Sequence, residues 1–204
     1  MQALYTILAP KEKRMKQMYM IFLSCICLTQ GFSQKRGGFE IYGDVMQVLP
    51  LAMMAYSYSL GDMQGVRWQA IAAGTTLASS HIIKQSFVVL AQRSESQARI
   101  SQRPNNGRFD GFPSGHTSWA FSSVGFALKR YGWKVALPVG ILATSVGVSR
   151  IHAQKHTTLQ VLSGAALGFG ISYFLSPAWV KNISLWVDFR EGKYTYCMAY
   201  RGNF

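Results

Sequence analysis

Five stretches of the chain, at about 45–60, 68–90, 118–128, 135–148 and 161–175, are apolar with few charges, and each reads as a helix. They are rich in small residues. Ala72-Ala73-Gly74-Thr75-Thr76 and the run from Ser163 through Gly164, Gly168 and Gly170 have the composition that lets helix backbones approach closely in membrane bundles. Several of the stretches fall short of the roughly 20 residues that a bilayer crossing needs. The pattern predicts an all-α bundle of about five core helices, embedded in a membrane, with a soluble or half-embedded bundle as the alternative. After Ile183 the period changes to two: Ile183, Leu185, Val187 and Phe189 alternate, then Glu191-Gly192-Lys193 intervenes, then Tyr194, Tyr196, Met198 and Tyr200 alternate. That alternation predicts a C-terminal β-hairpin over 181–204.

At the other end, basic residues between Lys11 and Lys16 precede an apolar run at 18–28 and the small residues Gly31-Phe32-Ser33. This is the order of a secretory signal. Residues 1–33 are therefore expected to be a signal peptide or an N-terminal anchor, and residues 34–180 one helical domain.

Composition narrows the possible partners. The 204 residues are 49% hydrophobic and 14% charged, with 21 Lys and Arg against 8 Asp and Glu and a formal charge of +13. Such a chain attracts anions. Its basic residues lie at the N-terminus, between 93 and 108 and between apolar segments, without the aromatic-interleaved patch of a nucleic-acid module, so nucleic acid is not the expected partner. A mean hydropathy of only +0.10 is what keeps the soluble alternative alive. Of three cysteines, Cys25 and Cys27 fall in the leader, which leaves Cys197 alone and no disulfide framework.

Three segments set uncommon polar residues beside apolar helices: Arg103-Pro104-Asn105-Asn106, Pro113-Ser114-Gly115-His116, and Ser149-Arg150 followed by His156. Two guanidinium groups can fork onto phosphate oxygens. Ser114-Gly115-His116 precedes a helix, where free N–H groups and the helix dipole favour an anion. One imidazole can attack phosphorus while the other, protonated, donates to the leaving oxygen. The aspartates are Asp44, Asp62, Asp110 and Asp188, with no cluster of carboxylates for a two-metal site, so no metal or other cofactor is expected.

These segments resemble the type 2 phosphatidic acid phosphatase (PAP2) family. Its pattern is Lys, six residues, Arg-Pro; then Pro-Ser-Gly-His; then Ser-Arg, five residues, His, three residues, Asp. Arg103-Pro104, Pro113 to His116, and Ser149-Arg150 with His156 match in order, and the resemblance covers about residues 43–176. It implies a helical bundle with the site at one end. It also implies a phosphohistidine on His156, leaving-group protonation by His116, and a phosphate held by Arg103, Arg150, Ser114 and Gly115.

Two positions depart from that pattern. Ser96 stands where the motif lysine belongs; Lys84, a lone cation in an apolar run, is the best candidate if 88–101 is an insertion, with Arg93 and Arg99 as rivals. Gln160 stands where the family has Asp. Its carbonyl can orient the His156 ring without supplying charge, and slower turnover or a narrower pH range is the expected consequence. Asp110 is a conceivable substitute. If Gln160 is a weak stand-in, Gln160→Asp raises activity; if the site is built around the amide, activity falls.

The resemblance implies a phosphatase acting on a phosphorylated lipid, a phosphomonoester or a pyrophosphate, at a bacterial inner membrane with its site on the periplasmic face. Secreted or outer-envelope placement is the alternative. A soluble secreted acid phosphatase and a phospholipid-binding pseudoenzyme are the rival functions. Outside the site, His81 reads as a structural polar contact and His152 as a neighbour one turn from His156. The run Lys129-Arg130-Tyr131-Gly132-Trp133-Lys134 reads as a basic, aromatic loop that stays cytoplasmic.

Overall fold

The computed structural model describes residues 37–179 in full and the backbone of 182–190 and 193–201. The expected signal or anchor at 1–33 lies outside the described residues. Helix α1 (Gly38–Val45) passes through a 3₁₀ turn (Met46–Val48) into α2 (Leu49–Ser59). The long α3 (Met63–Arg93) is followed by the short α4 (Glu95–Ala98) and a second 3₁₀ turn (Arg99–Ser101). A loop then leads to α5 (Gly115–Tyr131), α6 (Trp133–His152) and α7 (Thr158–Leu175). Strands β1 (Asn182–Arg190) and β2 (Lys193–Arg201) pair antiparallel, Asn182 opposite Arg201 and Arg190 opposite Lys193.

Residues 37–179 are thus all helices and connections, and the five predicted helices correspond to α2, α3, α5, α6 and α7. Their ends differ from expectation for a physical reason. Apolar runs stop where helices leave the bundle, whereas backbone hydrogen bonding continues: α3 runs on through Arg93, and α5 begins at Gly115, ahead of its first apolar residue. Residues 88–93 are accordingly a continuation of α3, and only 94–101 fold back towards the site.

The basic segment at 129–134 requires a correction. Lys129, Arg130 and Tyr131 form the last turn of α5, and Gly132 breaks the helix with a φ of +87°, a conformation that costs glycine little. Arg130 is buried rather than interfacial: it pairs with Asp62, which also accepts from Tyr131 Oη at 2.7 Å and caps α3 by accepting from Gly65 N at 2.8 Å. A buried carboxylate is held in place by these donors. The pair closes the end of the bundle away from the site described below.

Helix α5 lies at the centre, packed against α6 and α7. Small residues permit the close α5 to α7 crossing: a Cβ on Gly168 would collide with the Ser118 carbonyl oxygen, and one on Gly164 would come within 2.5 Å of the Ser114 carbonyl oxygen. The interior is correspondingly small and hydroxyl-lined, with Ser114, Thr117, Ser118, Ser122 and Ser123 buried and Ser80 Oγ of α3 2.7 Å from Ser118 Oγ. Leu49, Met53 and Phe126 are buried, but many large apolar side chains face outward; Leu137, Ile141, Leu162 and Phe174 are 58%, 64%, 61% and 83% exposed. Helices α6 and α7 are long and apolar enough to cross a membrane. An apolar exterior over a small, polar interior fits membrane association, because lipid offers no reward for burying leucine and packing then favours small residues.

Candidate active site

The ends of α5, α6 and α7 and the loops beside them bring the sequence motifs together. Ser114 precedes α5, and its N–H donates to the Gln160 carbonyl in the first turn of α7 at 2.9 Å. That bond fastens the Pro-Ser-Gly-His segment to the helix that follows His156. Ser114 is fully buried, and its Oγ accepts from Thr117 Oγ1 at 3.0 Å. The Ser114 N–H is therefore engaged within the protein, and the first-turn N–H groups from Gly115 onward are the ones without helical partners.

His156 lies in the α6 to α7 connection and is 4% exposed. Its Nδ1 is 3.1 Å from Gln160 Oε1, which also accepts from Thr157 N at 3.2 Å. Gln160 Nε2 donates to the Ile100 and Gln102 carbonyls at 2.9 and 3.0 Å. These four contacts fix the amide's orientation, since a flipped amide would set donor against donor at Thr157 and acceptor against acceptor at the two carbonyls. With an acceptor at Oε1, Nδ1 of a neutral His156 must carry the proton, and the lone pair is on Nε2. Burial, then the charges of Arg103 and Lys84, push the His156 pKa down to about 3, against the hydrogen bond to Gln160. A neutral imidazole with a free Nε2 is a competent nucleophile.

The cations converge from two sides. Lys84 Nζ donates to the Asp110 carbonyl at 2.6 Å, and Arg103 Nε donates to Asp110 Oδ1 at 2.6 Å with Nη2 3.4 Å from the same carbonyl. The side chain of Lys84 passes over Gly115, whose absent Cβ would be 3.7 Å from Lys84 Cε. Lys84 is thus the cation beside Arg103, while Arg93 and Arg99 are exposed. Asp110 does not substitute at His156; its carboxylate takes Arg103 and, at 3.5 Å, Arg108. Burial alone would raise the Asp110 pKa, but the neighbouring Arg103 outweighs it and the net direction is down.

On the other side, Arg150 is fully buried at the end of α6. Its Nη1 donates to Asp44 Oδ1 at 2.7 Å, its Nη2 to the Glu40 carbonyl at 2.6 Å and its Nε to Ser149 Oγ at 3.1 Å. His116 Nε2 is 3.1 Å from the same Asp44 Oδ1. The hydrogen bond with His116, helped by Arg150, holds the Asp44 carboxyl well below the usual carboxylate range. Lys155, in the α6 to α7 connection, pairs with Glu40. His116 and His156 interact electrostatically, so both imidazoles, Lys84 and Arg103 bear on one region at one end of the bundle.

The sequence profile of the PAP2 superfamily matches residues 69–184. The chain belongs to the PAP2 superfamily. A lipid A 4′-phosphatase of Helicobacter pylori strain J99 is 31% identical over 166 residues, 80% of this chain and 83% of that protein. A lipid A 1-phosphatase of Helicobacter pylori strain 26695 is 31% identical over 117 residues, 57% of this chain and 60% of its own length. A probable diacylglycerol pyrophosphate phosphatase of Schizosaccharomyces pombe is 35% identical over 79 residues, 32% of this chain and 28% of that protein. No solved structure matches the chain.

Within this candidate site, two features escape the motif reading. Thr157 and Gln160 form a capping box at the start of α7, Thr157 Oγ1 accepting from Gln160 N at 3.3 Å. The Thr-x-x-Gln spacing ahead of an apolar run is a helix-start signal that could have located it. Asp44 carries no such signal, because it belongs to none of the three motifs and lies in a helix of only eight residues. The remaining histidines stand apart: His81 is exposed on α3 rather than a buried polar contact, and His152 is exposed with its ring 5.6 Å from Phe39.

Proposed function

We propose that this chain is a lipid phosphate phosphatase that hydrolyses a phosphomonoester or pyrophosphate of a lipid, lipid A foremost, through a phosphohistidine on His156. The observation that carries the reading is the lock on His156. Gln160 takes Nδ1–H and leaves the Nε2 lone pair beside Lys84, Arg103 and His116.

In this reading Lys84, Arg103 and Arg150 hold the charge spread over the phosphoryl oxygens, together with the first-turn N–H groups from Gly115 onward. His156 Nε2 attacks phosphorus in line, His116 gives its proton to the leaving oxygen, and water then releases the phosphate with His116 as base. The positive side chains do the charge stabilisation that a metal would otherwise supply, so the reaction is metal-independent. The names of the relatives favour lipid A, and the apolar exterior suits a substrate delivered from a bilayer.

The phosphatase domain is residues 34–180, preceded by a signal or anchor and followed by the tail hairpin. A two-stranded hairpin is marginal alone, so it is expected to pack on the bundle or a partner. We place the site on the periplasmic face of the inner membrane, a reading that the basic, aromatic junction of α5 and α6 with Lys129 and Lys134, at the end opposite the site, supports as a cytoplasmic anchor.

The test is an acid-labile phosphoenzyme trap with ³²P-labelled lipid A and phosphatidate. The adduct should form in the parent and be absent in His156→Ala. In His116→Ala it should form with turnover slowed by about 10²- to 10⁴-fold. Equal background from parent and His156→Ala would instead support the second reading, a phospholipid-binding pseudoenzyme, which the uncharged Gln160 favours.

A further inference from the structure

Helix α1 precedes residues 69–184, which the PAP2 superfamily profile matches, yet it sets a carboxylate against two of the groups assigned to the reaction. Asp44 Oδ1 is 3.1 Å from His116 Nε2 and 2.7 Å from Arg150 Nη1, and the Glu40 carbonyl one turn earlier takes Arg150 Nη2 at 2.6 Å. The helix can come this close because residue 43 is glycine: a Cβ there would collide with Ser149 Oγ and lie 2.5 Å from Arg150 Nη2. Among the described residues, Nδ1 is the ring nitrogen of His116 left without a partner.

We propose that Asp44 is a positioning residue for the leaving-group step, its carboxylate turning His116 Nδ1 towards the leaving oxygen, stabilising the imidazolium and fixing Arg150 for the phosphate. This rests on the phosphatase reading above. In the step concerned, the bond from His156 Nε2 to phosphorus forms and the bond from phosphorus to the lipid oxygen breaks. The Nδ1 proton of His116 passes to that oxygen, and neutral His116 keeps its Nε2 proton on Asp44. In the second step water attacks phosphorus, its proton goes back to His116 Nδ1, the bond from His156 Nε2 to phosphorus breaks, and inorganic phosphate leaves.

The surroundings make a negative partner necessary. Among the described residues, the charged groups around His116 are Asp44 on α1, Arg150 on α6 and, in the following connection, Lys155, which pairs with Glu40, with His156 opposite. Burial lowers the pKa of His116 and so do Arg150 and Lys155, whereas Asp44 opposes them. Without the carboxylate, the imidazole would face two cations and lose its proton at lower pH.

The experiment compares two substrates on the full chain in detergent micelles: lipid A, whose alkoxide leaving group needs a proton, and p-nitrophenyl phosphate, whose phenolate does not. Asp44→Asn should lower kcat on lipid A about tenfold more than on p-nitrophenyl phosphate. It should also move the alkaline limb of the lipid A rate profile to lower pH. Asp44→Glu, which displaces the carboxylate by one methylene, should change the substrate ratio in the same direction and serves if the asparagine variant does not fold. An equal fall on both substrates in a folded variant would overturn the proposal and leave a mere clamp between α1 and α6. A parent enzyme inactive on both substrates would instead overturn the phosphatase reading itself.

Discussion

Replacing Gln160 with Asp, the residue the family pattern has there, should weaken this protein rather than improve it. The amide is fully buried and uses both of its ends: Oε1 accepts from His156 and Thr157, and Nε2 donates to the Ile100 and Gln102 carbonyls. A carboxylate keeps an acceptor for the imidazole but has no donor for the two carbonyls, and it sets negative charge against them. Leaving a buried acceptor unpaired costs about 1–3 kcal/mol, so two of them cost about 2–6 kcal/mol. At about 2–4 °C per kcal/mol for a domain of this size, Tm should fall by roughly 5–20 °C. The gain, a charge on the His156 imidazolium, is offset because Arg103 and Lys84 hold that ring neutral beforehand. Thermal unfolding of purified Gln160→Asp, followed by tryptophan fluorescence, and kcat at a temperature where parent and variant are both folded measure the two effects. A variant as heat-stable as the parent and faster would refute the reasoning and show the glutamine to be a weak stand-in.

Three other outcomes follow from the same geometry. His156 must be neutral to attack, and its pKa is depressed to about 3, so the acid limb of kcat/KM should lie well below the ordinary histidine value of 6.5, and Gln160→Glu should move it upward. Lys84→Gln should lower kcat/KM about 10- to 100-fold, the loss of a charge-assisted hydrogen bond of roughly 1.5–3 kcal/mol, while Arg93→Gln and Arg99→Gln, on exposed positions, leave it unchanged. Gly168→Ala should lower stability by about 1–3 kcal/mol in a denaturant or thermal melt, because the new Cβ meets the Ser118 backbone across the α5 to α7 crossing.

What the sequence by itself determined is the part written in local pattern. Apolar runs marked α2, α3, α5, α6 and α7, since each must present a continuous apolar surface, and three motifs in order marked the family. Gln160 was visible as a departure, but its role was not, because the two carbonyls it holds come from Ile100 and Gln102, some sixty residues earlier. Lys84 is the best candidate in one dimension but keeps Arg93 as a rival; α3 separates them because its interior side carries Lys84 to Asp110 and leaves Arg93 exposed. Arg130 looked like a loop cation because Asp62, its buried partner, is 68 residues away. Asp44 shows the limit most clearly. Nothing around it distinguishes one acidic residue from another, and only the close approach of α1 at Gly43 places its carboxylate on His116 and Arg150. Helices are decided by neighbours along the chain, whereas charge partners are decided by which surfaces meet, and that is settled only when the bundle closes.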